Sequence, residues 1–300
     1  MSFQLPNHYV SQFTTNVELL LQQKGSKLLP FVTQSTYIGK QAAVVDQYGT
    51  VEAQTRGTRY EPMAPQDISV DRRWVLPTTY DVTLYEDKID KLRMLNDPHS
   101  SYVQAAVAGF GRKIDDVIIA AIFSDLTKTG ENAGTTTDWT TFVSSNSGHQ
   151  ISQTVGAASA TGLNVAKLRA GLKALRKAFN DLDNDMPICF INAEQHDNLL
   201  AEAQIVSRDY NEKLVLTDGK VDSFLGIKFV HTERLVTDGT YRRVPLFMKS
   251  GLHLGMFDGM TTNVSIRDDL RGRPTQIYIE GTLGATRTQE KKFVEIKCAE

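Results

Sequence analysis

Three features of this sequence predict an α+β fold. One amphipathic helix of unusual length runs through the first half. Before it lies a stretch dense in β-branched residues, Gly and Pro. After it comes a helix–strand–helix–strand succession that ends in further apolar strands. The chain has 300 residues, which suffices for one large domain or two ordinary ones, and its 41% apolar content is enough to fill a core. A formal net charge of −2 argues against a dedicated nucleic-acid binder, which carries a basic stripe.

In chain order, Val10, Phe13, Val17, Leu20 and Leu21 recur at helical spacing and Gly25 follows as a stop, which predicts a short amphipathic arm. Its apolar stripe is too small to form a core alone. From Gln41 to Thr83 the texture is that of strands. Ala42–Thr55 and Ile68–Leu84 flank the polar turn "RGTRYEPMAPQD" and predict a long hairpin with few buried positions. A two-stranded ribbon is marginal in water, so it needs a partner surface.

The stretch "DPHSSYVQAAVAGFGRKIDDVIIAAIFSDL", Asp97 to Leu126, predicts a single helix of roughly 40 Å. Asp97 suits its cap and Pro98 its first turn. Val103, Ala106, Val107, Phe110, Ile114, Val117, Ile118, Ala121 and Ile122 mark one apolar face. Gly109 and Gly111 read as close packing or a bend. Thr127 to Gly162 is rich in Ser, Thr, Gly and Asn and predicts a surface loop, with a short ribbon around Trp139–Val143 and Ile151–Val155. Val165, Leu168, Leu172, Leu175 and Phe179 then predict a helix. "MPICFI" predicts a buried strand and "AEQHDNLLAEA" a helix, and "FLGIKFVHT", "VPLFMKS", "LHLGMFD" and "NVSIRD" predict strands. "TQIYIEGTLGATRTQEKKFVEIKC" predicts a closing strand or strand pair.

No catalytic signature survives inspection. "GFGRKI" lies mid-helix and has Ile114 where a dinucleotide fingerprint needs its third glycine. "DLDND" begins like a calcium loop at Asp181, Asp183 and Asp185, but Met186 and Asn192 replace its glycine and its glutamate. His8, His99, His149, His196, His231 and His253 are scattered, without metal-ligand spacing. Asp115 and Asp116 are adjacent helix positions that point about 100° apart, which suits a salt-bridged face or an intersubunit contact better than acid–base work. No cofactor and no metal is expected. Cys189 and Cys298 are too few for a disulfide framework and predict reduced thiols. No apolar run reaches bilayer length and "MSFQLPNHYVSQF" lacks the regions of a signal peptide, so the sequence predicts assembly in a cytoplasm and no membrane.

An amphipathic arm, a thin ribbon and an over-long helix each need surface from elsewhere, and other copies of the same chain are the economical source. Here "EDKIDKLRMLNDPHSSYVQAAVAGFGRKIDDVIIAAIF" (Glu86–Phe123), "SRDYNEKLVLTDGKVDSFLGIKFVHTERL" (Ser207–Leu235) and "GTLGATRTQEKKFVEIKC" (Gly281–Cys298), with the helix at Val165–Phe179, resemble a tailed-bacteriophage major capsid protein of the Hong Kong 97-like fold. The resemblance implies an N-terminal arm at 1–40, an extended loop at 41–83 and a peripheral domain with a spine helix at 84–162. It further implies an axial domain at 163–262 and return strands of the peripheral domain at 263–300. It implies a structural subunit, not an enzyme, that forms the hexamers and pentamers of an icosahedral shell around double-stranded DNA. Scaffolding and portal proteins would be separate chains. Some relatives cross-link through a lysine of the extended loop; no lysine occurs here between Gln41 and Asp87, so no such bond is expected.

Charge alone nominates Arg56, Arg59, Arg72 and Arg73 on the ribbon as intersubunit contacts, meeting Glu86, Asp115 or Asp116 of a neighbour. Two rival readings stand beside this one. The first is a host-encoded nanocompartment shell of the same fold. The second, more remote, is a soluble enzyme with Asp115 and Asp116 as its acids.

Overall fold

The computed structural model describes residues 22–60, 62–63, 65–87, 99–130, 133–202 and 221–300. The predicted arm helix over residues 10–21, the proposed cap at Asp97 and Pro98, and residues 203–220 lie outside the described residues. The described chain forms strands β1 (Thr33–Thr36), β2 (Ala42–Tyr48), β3 (Val70–Val75) and β4 (Thr78–Glu86), then helix α1 (His99–Ile122). Strands β5 (Thr127–Thr129) and β6 (Thr135–Thr137), helix α2 (Trp139–Ser145), strand β7 (Gln150–Ile151) and helix α3 (Val165–Lys177) follow. Next come β8 (Pro187–Ile191), helix α4 (Ala193–Leu200), β9 (Ser223–Phe224), β10 (Ile227–His231), β11 (Arg242–Met248), β12 (Leu252–Ile266), β13 (Thr275–Arg287) and β14 (Phe293–Cys298).

These elements divide into two compact units. One holds described residues 22–25, 80–87, 99–112 and 260–281, the other the remainder from Ser26 onward. The chains of α1, β12 and β13 run through both. In the larger unit a six-stranded sheet has the order β7-β14-β11-β8-β10-β9. Every residue of "PICFI" in β8 is buried, because β8 lies inside that sheet, parallel to β10 and antiparallel to β11. A continuous apolar run is what a strand covered on both faces requires. Phe190, Phe247 and Phe293 form a ring ladder across β8, β11 and β14, with centroids 5.0 and 5.6 Å apart. Helix α3 lies against this sheet through Gly171, where a β-carbon would come within 2.7 Å of Leu246. Asn164 caps α3 by accepting from the Lys167 amide at 2.8 Å, and Asn192 with Gln195 forms a capping box at α4.

Also in this unit, β2 and β3 pair antiparallel, and the hairpin β5–β6 extends them into a four-stranded sheet of order β2-β3-β5-β6. Strand β1 pairs parallel with Thr33↔His253 through Thr36↔Met256 of β12, in a second four-stranded sheet of order β1-β12-β13-β4. In the smaller unit, Phe110 packs where Gly281 of β13 leaves room; a β-carbon there would come within 2.6 Å of its ring. At Gly109 a β-carbon would meet only the Arg112 guanidinium, at 3.6 Å, and α1 runs unbroken for 24 residues, about 36 Å, so the expected bend is not found.

Four expectations are corrected. The ribbon is shorter than the alternation suggested: pairing closes with the Gly49 amide on the Ser69 carbonyl at 2.7 Å. Of residues 50–69, those described are exposed and lack regular structure. Pro62 and Pro65 supply no amide for a ladder. The predicted strand Ile68–Leu84 is two strands in different sheets, broken at Leu76-Pro77. The stretch at 127–162 is not plain surface loop. It contributes β5, β6 and β7, and Trp139–Val143, expected as ribbon, begins helix α2 with Trp139 buried. "LHLGMFD" and "NVSIRD" are one 15-residue strand, β12.

Candidate functional site

The ribbon arginines, nominated together from charge, separate in the structure. Arg56 and Arg59 are exposed in the stretch between β2 and β3, where the Arg56 Nε donates to the Thr58 carbonyl at 3.2 Å. Arg72 faces outward and forks onto Asp46 of β2 at 2.5 and 3.2 Å, with its guanidinium 5.7 Å from the Trp74 ring centroid. This bond from Arg72 holds the Asp46 carboxyl below its ordinary range. Successive strand residues point to opposite faces, so Arg73 points inward. It is buried, with Nη2 donating to Glu290 at 2.7 Å and Nε to the Gln47 side-chain Oε1 at 3.4 Å.

The acids separate too. Glu86, at the end of β4, is buried. Asp115 is fully buried and binds the segment before β1: it accepts from the Ser26 hydroxyl and from the amides of Lys27 and Leu28 at 3.1 and 3.2 Å. Asp116, one position on, forms a two-pronged pair with Arg234 at 2.5 Å for each prong. That bond raises the Arg234 guanidinium above its ordinary value. The adjacent carboxylates therefore face different partners and do not converge. The shallow apolar hollow beside the end of α1, lined by Ile119, Ile122, Phe123, Val236 and Pro245 among others, contains neither. Among the described residues no cluster of His, Cys, Asp and Glu is arranged to hold a metal ion.

A buried ionic cluster joins the elements that the sequence treated separately. Arg287, at the end of β13, is fully buried and donates to the Ile122 carbonyl at 2.9 Å, the last residue of α1. A cation there complements the negative end of the helix. Burial lowers the Arg287 guanidinium to about 10, against the pull of Glu290. Its charge also lies 5.5 Å from the Trp139 ring centroid. Trp139 donates to Glu295 at 2.8 Å, and Arg243 donates to the same carboxylate at 2.7 Å. Burial pushes Glu295 up, but bonds from Arg243, Trp139 and Gln150 carry it below the ordinary range. Lys167, fully buried, donates to the carbonyls of Thr161, Gly162 and Lys297 at 2.6, 2.9 and 3.0 Å. Sequence inspection passed over all of these. "ATRTQEKK" reads only as part of a closing strand or strand pair, and only the pairing of one buried arginine with one buried glutamate three residues on would have marked it.

These ionisable groups lock elements of the larger unit to one another, and the stretch joining β2 to β3 is left exposed. A family model described as phage capsid protein matches residues 5–300. The chain belongs to that family and is a structural subunit of a phage capsid, a virion component. Solved capsids share the fold at low identity. A cyanophage Pam1 capsid chain matches with a TM-score of 0.77 and 12% identity, covering 99% of this chain and 98% of that one. A cyanophage P-SCSP1u capsid chain gives 0.72 and 15%, covering 98% and 94%. A chain of Mycobacterium phage Che8 gives 0.70 and 15%, covering 97% of each. No curated protein sequence matches this chain. The α+β, Hong Kong 97-like capsid fold expected from the sequence is the one found.

Proposed function

We propose that this chain assembles as hexamers and pentamers of itself into a closed icosahedral shell around double-stranded DNA, inside a bacterial cytoplasm, without catalysing a reaction. One observation carries the reading. The family match spans nearly the whole chain, and the two carboxylates on α1 nominated as acids, Asp115 and Asp116, are occupied by structural partners within it. The subunit would be divided as the resemblance implies: arm (1–40), extended loop (41–83), peripheral domain (84–162 and 263–300) and axial domain (163–262). Scaffolding and portal would be separate proteins, and the DNA would be contacted without sequence preference. Many weak contacts in a closed lattice act together, so each interface can be modest.

Within this reading Arg56, Arg59 and Arg72 remain contacts to a neighbouring copy, because their charge lies on the outward side of the ribbon. Arg73 and Asp115 act within the subunit, and Glu86, being buried, contributes through the strand that carries it. Asp116 would reach a neighbour only jointly with Arg234. The test is electron microscopy of the protein expressed alone and with an adjacent scaffolding gene. Closed particles or hexameric capsomers are expected. A monodisperse monomer or dimer under both conditions would overturn the proposal. Particles loaded with a partner enzyme instead of competent for DNA packaging would favour the nanocompartment reading.

A further inference from the structure

Helix α3 ends in a way that stabilises the subunit less than a commonplace alternative would. The Phe179 amide donates to the Arg176 carbonyl at 3.0 Å and the Asn180 amide to the Leu175 carbonyl at 3.3 Å. That pair of bonds is the Schellman closure, whose left-handed residue is normally glycine. Here the residue is Phe179, at φ 59°. A side chain is disfavoured in that conformation, and this one gains nothing locally, since Phe179 is 98% exposed. The loop is nonetheless held firmly. The Asn180 amide group donates to the carbonyls of Leu175 and Lys291 at 3.0 and 2.9 Å, so the ring is presented from a fixed base. A strained residue that the fold does not reward points to a role outside the subunit.

The flanks identify the partner. Exposed Arg176 and Lys177 precede Phe179, and exposed Asp181 and Asp183 follow it. Bonds from Asn184 and Asp183 hold the Asp181 carboxyl below its ordinary range, so that flank is anionic. A loop with a cationic side, an aromatic centre and an anionic side is complementary to a second copy of itself approached head to tail, the arrangement that closes rings. An exposed, preorganised aromatic between charges is also the usual form of an interface anchor. We infer that the loop 176–183 is a head-to-tail contact between copies of this chain, with Phe179 as its anchor. The inference rests on the reading of the chain as a shell subunit.

The experiment compares wild type, Phe179→Gly and Phe179→Asn for thermal unfolding of the unassembled subunit and for the concentration at which particles form. Glycine should raise Tm by about 2 °C, and Asn, which tolerates the left-handed region, should leave it near wild type. Both should raise the assembly concentration by about tenfold or more. A lowered Tm for the glycine variant, or assembly at the wild-type concentration, overturns the inference. In a second set, Arg176→Glu with Lys177→Glu should impair assembly, and adding Asp181→Lys with Asp183→Lys should restore it. Failure of the fourfold swap to restore assembly also overturns the inference. Wild-type protein that forms no particles at any concentration, with scaffolding supplied, removes the shell reading itself and is told apart by that control.

Discussion

The six-stranded sheet and the outer turn of the ribbon belong to the same unit and obey opposite rules. In the sheet, β8 buries all five residues, and Phe247 lies fully buried between two other rings. In the stretch joining β2 to β3, Tyr60 and Met63 are 91% and 95% exposed, and Arg56 and Arg59 are exposed as well. The sheet is stabilised by its own chain, whereas the ribbon turn presents apolar and cationic surface that the described residues leave exposed. A subunit that must fold before it assembles keeps these tasks apart: loss of the first removes the protein, and loss of the second removes only the particle.

The largest effect should come from the sheet. Phe247→Ala removes the middle ring of the ladder and should destabilise the isolated subunit by about 4 kcal/mol, as core aromatic truncations do. Urea unfolding of the unassembled protein measures it, and a change below about 1 kcal/mol would show that the ladder is not a stabilising core. Next is the joint between the ribbon and the rest of the unit. Glu290→Gln leaves Arg73 and Arg287 buried without their counter-charge and should cost about 3 kcal/mol by the same assay. The ribbon would also loosen, which hydrogen exchange at β2 and β3 would report. The smallest effect on the subunit should come from Arg56→Glu combined with Arg59→Glu. Unfolding should shift by less than about 0.5 kcal/mol, while particle yield falls sharply. Unchanged assembly would remove these two arginines from the interface and blur the contrast between sheet and ribbon.

Several elements could be read directly from the residues because their signals are local. The α3 stripe from Val165 to Leu175, the buried run "PICFI" and the long α1 each carry such a signal, but Phe179, expected as the last member of the α3 stripe, lies beyond the helix end at Lys177 and is exposed. Of the predicted α1 face, Ala106, Phe110, Ile118, Ala121 and Ile122 are buried, but so is Asp115, which hydropathy assigns to solvent. The Asp115 carboxylate is tolerated there because a segment some ninety positions earlier in the chain delivers three donors to it. Trp139 shows the same limit. In a stretch of Ser, Thr and Gly it looks like a loop residue, yet Glu295 and Arg287 make its site a buried one. Among the nominated contact residues, Arg72 and Arg73 were indistinguishable by charge, and the pleat sent one outward and the other into the core.

What this sequence determined alone was therefore its strongly periodic elements, α1, α3 and β8, in their order, and the absence of a local catalytic motif, because each depends on residues within one or two turns of one another. The order of the strands in the sheets, the break at Leu76-Pro77, the placing of β14 between β7 and β11 and the pairing of Arg73 and Arg287 with Glu290 were decided only by the tertiary structure. A strand's neighbours and a buried charge's counter-ion come from distant parts of the chain. Their stability arises from excluding water jointly, a property that no segment has by itself.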